Sequence, residues 1–254
     1  MTLNDPCHRI PPVVKSVHLI AVCGTAMGAL AAMLKEMGLA VTGSDRNVYP
    51  PMSTFLGQRG IPVQEGFLPA HLSHRPDLVV VGNAVSRDNP EVEAVGRLGL
   101  SYCSMPEALN HFAAAGKETL LVAGTHGKTT TSSLLAWLLY AAAVDPTYMI
   151  GGILNNFNGN YRLGQGDYFV VEGDEYDTAY FDKGPKFLHY RPKAAVLTSV
   201  ELILPTSALS FSWTSRILGR LCIVTWRVSL RSCTRRSRSS RAARRSRNSC
   251  ATIT

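Results

Sequence analysis

The chain has 254 residues, and an allowance of about 150 residues per domain predicts two domains. Apolar residues make up 46% and charged residues 17%, which excludes an intrinsically disordered chain. The formal charge of +8 suggests nucleic acid or a membrane surface, but residues 202–254 hold 11 Arg and no Lys, Asp or Glu, leaving +8 − 11 = −3 for residues 1–201. The body is therefore mildly acidic, and neither nucleic acid nor a membrane is expected as its partner. Six cysteines without a C-x-x-C pair argue against a disulfide framework and a zinc site, and they suit a reducing compartment. Residues 17–34 form an 18-residue apolar run behind Arg9 and Lys15. His18, Gly24, Thr25 and Gly28 lie inside it, and a membrane helix there would waste two glycines.

In chain order, residues 17–23 read as a buried strand and 24–28 as a turn. A helix follows with Ala26, Leu30, Met33, Leu34 and Met37 on one face and Gly38 past its end. Residues 39–42 are a second strand, after which comes Asp45. This is the first half of a dinucleotide-type βαβ unit. Further strands are expected at 77–81 and 100–103. Asn89 and Pro90 are placed to start one helix, and Ser104 with Glu107 forms a capping box for another over 108–115. Alternating strands and helices predict a parallel sheet covered on both faces, with a boundary near Gly116. A second α/β unit begins with a strand at 118–123, a loop at 124–128 and a helix at 129–143. Short strands are expected at 148–150, 168–171 and 194–200. Residues 151–166, rich in Gly and Asn, read as a loop, and nothing after Leu202 reads as a regular element. The fold class is α/β: a Rossmann-like parallel-sheet domain, then an incomplete P-loop-type ATP-binding domain, then an irregular tail.

The strongest chemical signal is the run Gly124-Thr125-His126-Gly127-Lys128-Thr129-Thr130, between a strand and a helix. Unpaired N–H groups and the helix dipole favour phosphate there. Lys128 is placed to reach β- and γ-phosphate oxygens and the Thr129 hydroxyl to hold Mg²⁺. The loop is tighter than G-x-x-x-x-G-K-[ST], since Val122 stands where the first glycine belongs. His126 in this loop caps or packs; it is not read as an acid or base. The second signal is Glu172-Gly-Asp-Glu-Tyr-Asp177, at the carboxyl end of a buried strand. Glu172 is placed to complete the Mg²⁺ shell, whereas Asp177 and Asp182 read as solvated. The third is Cys23-Gly24-Thr25-Ala26-Met27-Gly28, an eroded G-x-G-x-x-G turn. Asp45 is compatible with a ribose contact. Asn155 and Asn156 either contact substrate or merely accept left-handed turns.

Together these residues resemble the Mur ligase family, over residues 17–201. The G-T-H-G-K-T-T-T loop is similar to that family's ATP loop. The runs G-G-I-L-N-N-F, E-G-D-E-Y-D-T-A-Y-F-D-K and G-S-D-R-N-V-Y-P-P-M-S resemble the branch that serves peptidoglycan recycling. The resemblance implies that residues 1–116 bind UDP-N-acetylmuramate, using Gly24, Thr25, Ala26, Met27, Gly28, Asp45, Asn155 and Asn156. It implies that residues 117–201 bind ATP through residues 124–130 and Mg²⁺ through Thr129 and Glu172, with Lys128 and Glu172 acting in catalysis. A murein tripeptide would supply the amine, and the setting would be cytoplasmic. Other readings of the same residues are a P-loop ATPase or kinase of different specificity, or a nucleic-acid-binding protein using the basic tail. Oligomeric state stays open.

After Thr198-Ser-Val-Glu201 the family continues with an Asp-His pair, and here Leu202-Ile-Leu204 stands instead. Residues 202–254 are therefore expected to be a translated wrong reading frame, and the chain as written is not expected to ligate. Sequencing the encoding DNA around codon 201 should uncover family-like text in a shifted frame; its absence from both other frames overturns this reading.

Overall fold

The computed structural model describes residues 1–199 and the backbone of two later strands, Phe211–Leu218 and Leu221–Val228. The remaining residues from 200 onward, and with them the reading-frame expectation, lie outside the described residues.

The first half of the chain forms β1 (Ser16–Ile20), α1 (Thr25–Glu36), β2 (Ala40–Asp45), α2 (Met52–Gln58), β3 (Val63–Glu65), β4 (Leu78–Val81), α3 (Pro90–Leu98), β5 (Tyr102–Ser104) and α4 (Met105–Phe112). The five strands make one parallel sheet in the order β3-β2-β1-β4-β5. β1 and β4 are buried on both faces, as a continuous apolar run in a covered parallel sheet should be. α1 buries Met27, Leu30, Met33 and Leu34, each of which contributes about 2 kcal/mol in removed apolar surface. Gly38, at φ +90°, lets the chain leave α1. The Asn89 side chain accepts from Glu91 N and Val92 N, and the Ser104–Glu107 capping box opens α4. α2, β3 and the 3-10 turn Pro69–Leu72 were not foreseen. α2 buries only Leu56 and β3 has three residues, so neither leaves a periodic apolar stripe.

The second half forms β6 (Glu118–Ala123), α5 (Lys128–Ala141), β7 (Thr147–Leu154), β8 (Gly159–Arg162), β9 (Tyr168–Gly173), β10 (Asp177–Ala179), β11 (Asp182–Pro185), the 3-10 turn Lys186–His189 and β12 (Ala194–Leu197). With the two later strands, β13 (Phe211–Leu218) and β14 (Leu221–Val228), the sheet runs β13-β14-β12-β6-β9-β7-β8. β12, β6, β9 and β7 are parallel. Two expectations need correction. Residues 151–166 are a loop only in part: β7 continues to Leu154 and, after a turn, returns as the antiparallel β8, because Leu154, Asn160 and Tyr161 bury while Gly151 and Gly152 pass close to neighbours. Within the stretch expected to be irregular, β13 and β14 pair antiparallel over eight residues each. Leu134 and Leu138 on α5 are 56% and 55% exposed, and Val196 and Leu197 on β12 are 43% and 39% exposed. No helix among the described residues is long and apolar enough to cross a membrane.

The halves touch through specific contacts. Arg59 lies 3.8 Å over the Phe55 ring and donates to Tyr161 Oη, which in turn donates to Glu36. Asn110 donates to the His189 carbonyl at 2.7 Å. Within the first half, Glu91 is fully buried and gathers the Ser44 hydroxyl, His18 at 3.2 Å and His71 at 3.0 Å. Buried polar groups of this kind must be partnered. This network anchors β2 directly beside Asp45. Glu91→Ala strands those partners, and the unfolding free energy is expected to fall by about 3 kcal/mol in urea denaturation. A loss below about 1 kcal/mol would show that the network is dispensable.

Candidate functional site

β6 delivers the chain into a loop that only glycine can make at two points. Gly124 has φ +129° and Gly127 has φ +77°. A Cβ on Gly124 would collide with Thr198 Oγ1 and lie 2.8 Å from the Ser199 carbonyl. The end of β12 forms the floor of the loop. Thr125 N donates to Ser199 O at 3.0 Å, His126 N donates to Ser199 Oγ at 2.9 Å, and Thr198 N donates to Ala123 O at 2.9 Å. The amides of Thr125 and His126 thus hold the loop's shape. The loop leads into α5, which starts at Lys128 with no side-chain cap and no acidic residue in its first turn. Its leading N–H groups and dipole suit a phosphate.

β9 lies parallel to β6, with Val122 opposite Glu172 and Ala123 opposite Gly173. That register carries Glu172 to the loop. Thr129 Oγ1 donates to Glu172 Oε2 at 3.2 Å, and Ser132 Oγ donates to Glu172 Oε1 at 2.7 Å. Ser132, one helical turn beyond Lys128, was not anticipated. Lys128 Nζ donates to Gly124 O at 2.9 Å and to Glu175 Oε2 at 3.1 Å, and it stands 4.0 Å from Asp174. Gly151 and Gly152 allow β7 to pass this cluster. A Cβ on Gly151 would lie 3.1 Å from Glu172 Oε2, and one on Gly152 would lie 2.9 Å from Thr129 Cγ2. The donors at Thr129 and Glu172 are a hydroxyl and a carboxylate, hard oxygens that fit Mg²⁺. Among the described residues no three His, Cys, Asp or Glu side chains form a metal cage. The protein's share of a Mg²⁺ shell would then be these two side chains, with phosphate oxygens and water completing it. Asp177 is exposed and paired with Lys183. Asp182 departs from its solvated reading: it is buried and 2.8 Å from His189 Nε2.

In the first sheet the connections leave β1 and β4 in opposite directions. The crevice at their carboxyl ends is where such sheets bind ligands. α1 opens there at Gly24 with no side-chain cap and no acid in its first turn. A Cβ on Gly24 would meet Ala21 O at 3.8 Å, so no neighbour among the described residues demands glycine. Gly28 serves packing, since a Cβ there would strike Met52. Asp45 accepts from Cys23 N at 2.9 Å and Asn47 N at 3.0 Å, so its carboxylate pins the turn. Burial, then the nearby Asp45 charge, push the Cys23 thiol up to about 11 and leave it inert.

A cavity of about 150 Å³ is lined by Gly24, Thr25, Ala26 and Met27 together with Asn83 and Lys186. Asn83 was missed, although its place just after β4 is a strand-end signal. Lys186 had no sequence signal, because it comes from the other half of the chain. Asn155 and Asn156 stand exposed in the turn between β7 and β8 and do not line this cavity. A larger cavity of about 580 Å³ lies along α4, lined by Arg9, Glu107, Lys117 and Arg191 among others, and includes Thr119 near the start of β6. It is therefore at the end of the strand away from the phosphate loop. Glu107 there is partly buried, which opposes its charge. Bonds from His8 and Ser104 outweigh burial and hold its carboxyl down at about 2.

The chain is similar to several known proteins. The description "Mur ligase family, catalytic domain" matches residues 16–117. The chain is 46% identical over 185 residues to the UDP-N-acetylmuramate--L-alanyl-gamma-D-glutamyl-meso-2,6-diaminoheptandioate ligase of Escherichia coli (strain K12), covering 73% of this chain and 40% of that protein. It is 47% identical over 186 residues to the ligase of the same name from Haemophilus influenzae, covering 73% and 41%. The crystal structure of the UDP-N-acetylmuramate:L-alanyl-gamma-D-glutamyl-meso-diaminopimelate ligase from Neisseria meningitides is 47% identical, with a TM-score of 0.71, over 74% of this chain and 61% of that one. The chain thus spans about two fifths of the length of the curated relatives it matches. The parallel first sheet, the glycine loop at Lys128 and these identities lead to one conclusion: the chain belongs to the Mur ligase family.

Proposed function

We propose that residues 117–201 form a binding site for ATP with Mg²⁺, and that residues 1–116 form a binding site for the UDP end of UDP-N-acetylmuramate. The complete reaction would be an ATP-dependent amide ligation to the tripeptide L-Ala-γ-D-Glu-meso-diaminopimelate in peptidoglycan recycling, in the cytoplasm. The observation that carries this reading is the meeting of Thr129 and Glu172 at 3.2 Å beside Lys128, at the open start of α5.

Each residue then has a task. The N–H groups of the first turn of α5 bind phosphate oxygens. Lys128, now held by Glu175 and the Gly124 carbonyl, swings onto the β- and γ-phosphates. Thr129 and Glu172 would hold the magnesium, which when bound neutralises triphosphate charge. Ser132 fixes the orientation of the Glu172 carboxylate. The open start of α1 at Gly24 binds the pyrophosphate of the acid substrate. The muramyl carboxylate takes the γ-phosphoryl group and releases ADP. The tripeptide amine then attacks the acyl phosphate, giving the amide and inorganic phosphate. The chain's contribution is positioning and charge neutralisation.

Titration calorimetry of the 254-residue chain with ATP and Mg²⁺ tests the central site. Binding should be measurable in the parent and at least about tenfold weaker in Lys128→Ala, which removes a charge-assisted contact. No binding in the parent overturns the ATP reading. Gly151→Ala crowds Glu172 Oε2 from 3.1 Å. It should weaken binding of ATP in the presence of Mg²⁺ by about tenfold while leaving metal-free nucleotide affinity unchanged. An equal effect in both conditions would place the damage in the fold.

A further inference from the structure

Lys186 lines the 150 Å³ cavity together with the Gly24 turn, from the start of the 3-10 turn that follows β11. Its side chain is 9% exposed, and its ammonium donates to Asp174 Oδ2 at 3.3 Å. That is one long hydrogen bond for three donor positions. A buried ammonium so placed needs further acceptors. Asp174 is not its private counter-ion either, because the other carboxylate oxygen is 4.0 Å from Lys128 Nζ. A single carboxylate therefore links the phosphate-loop lysine to a second lysine that faces the first half of the chain. The same cavity is lined by the uncapped start of α1 and the exposed Asn83. The residues lining the cavity include cation and N–H donors and no carboxylate. Such a chamber suits an anionic group.

We infer that Lys186 is a substrate-binding residue, whose ammonium holds the carboxylate of the acid substrate between the Gly24 turn and the phosphate loop. This rests on the reading of residues 1–116 as a muramyl-nucleotide site. The geometry gives the two lysines separate tasks. Lys128 serves the triphosphate and Lys186 the acid that is to be phosphorylated. Asp174 keeps both in place while the site is empty.

The test uses a pair of ligands that differ in the group concerned. UDP-N-acetylmuramate carries its carboxylate on a lactyl ether, and UDP-N-acetylglucosamine is the same nucleotide sugar without that ether. Calorimetry on the full 254-residue chain should show UDP-N-acetylmuramate binding about tenfold tighter. Lys186→Met, close to lysine in volume, should erase that preference and leave UDP-N-acetylglucosamine affinity unchanged. Lys186→Arg should keep a preference. Equal losses for both ligands in Lys186→Met, or a preference that survives it, overturn the role of Lys186 alone. A parent that binds both ligands equally well also overturns that role and leaves the nucleotide site standing. A parent that binds neither overturns the muramyl-nucleotide reading together with this one.

Discussion

The central site depends on the register between two parallel strands. Six residues of β6 pair with six of β9, from Glu118 opposite Tyr168 to Ala123 opposite Gly173. In a sheet with this register, the loop leaving β6 and the acidic run leaving β9 emerge side by side. A slip of one residue would turn Glu172 to the other face of the sheet and remove the carboxylate from Thr129. The buried Phe169, Val170 and Val171 hold that register through core packing. Site chemistry here follows from hydrophobic pattern more than from any contact within the site.

The strands and helices that were legible in advance share one property. Each carries a strong local signal: a continuous apolar run in β1, β4, β6 and β9, a face of small and large apolar residues in α1, or a cap at Asn89 and Ser104. The elements that escaped notice take their stability from elsewhere. α2 and β3 are short, and β8 is a return strand whose Gly and Asn residues look like a loop. Only its pairing with β7 and the burial of Tyr161 make it a strand. The same contrast holds for the sites. Lys128, Thr129 and Glu172 sit in dense motifs and were identifiable from type and order. Ser132, Asn83 and Lys186 are single polar residues that reach Glu172 or the crevice only through the elements that carry them. Asn155 and Asn156, read from their motif, stand in an exposed turn.

The two halves of the chain meet through a mixture of contacts that differ in reach. On one side, Arg59, Tyr161 and Glu36 form a chain of hydrogen bonds between α2, β8 and α1, backed by the Phe55 ring. On the other, the 3-10 turn at Lys186–His189 packs near α4 and brings Lys186 to the crevice of the first sheet. The crevice beside Gly24 is therefore built by both halves. Its α1 start comes from the first half and its cation from the 3-10 turn of the second. Relative motion of the halves would change the distance between that cation and the α1 start.

The loop around Gly124 cannot hold its shape from local residues alone. The amide of His126 is bonded to a side chain 73 positions later in the chain, and that of Thr125 to the same residue's carbonyl. During synthesis the glycine loop leaves the ribosome long before Thr198 and Ser199 exist. The shape of this loop is consequently a late product of translation, formed only when β12 docks against β6, however early its own sequence is made.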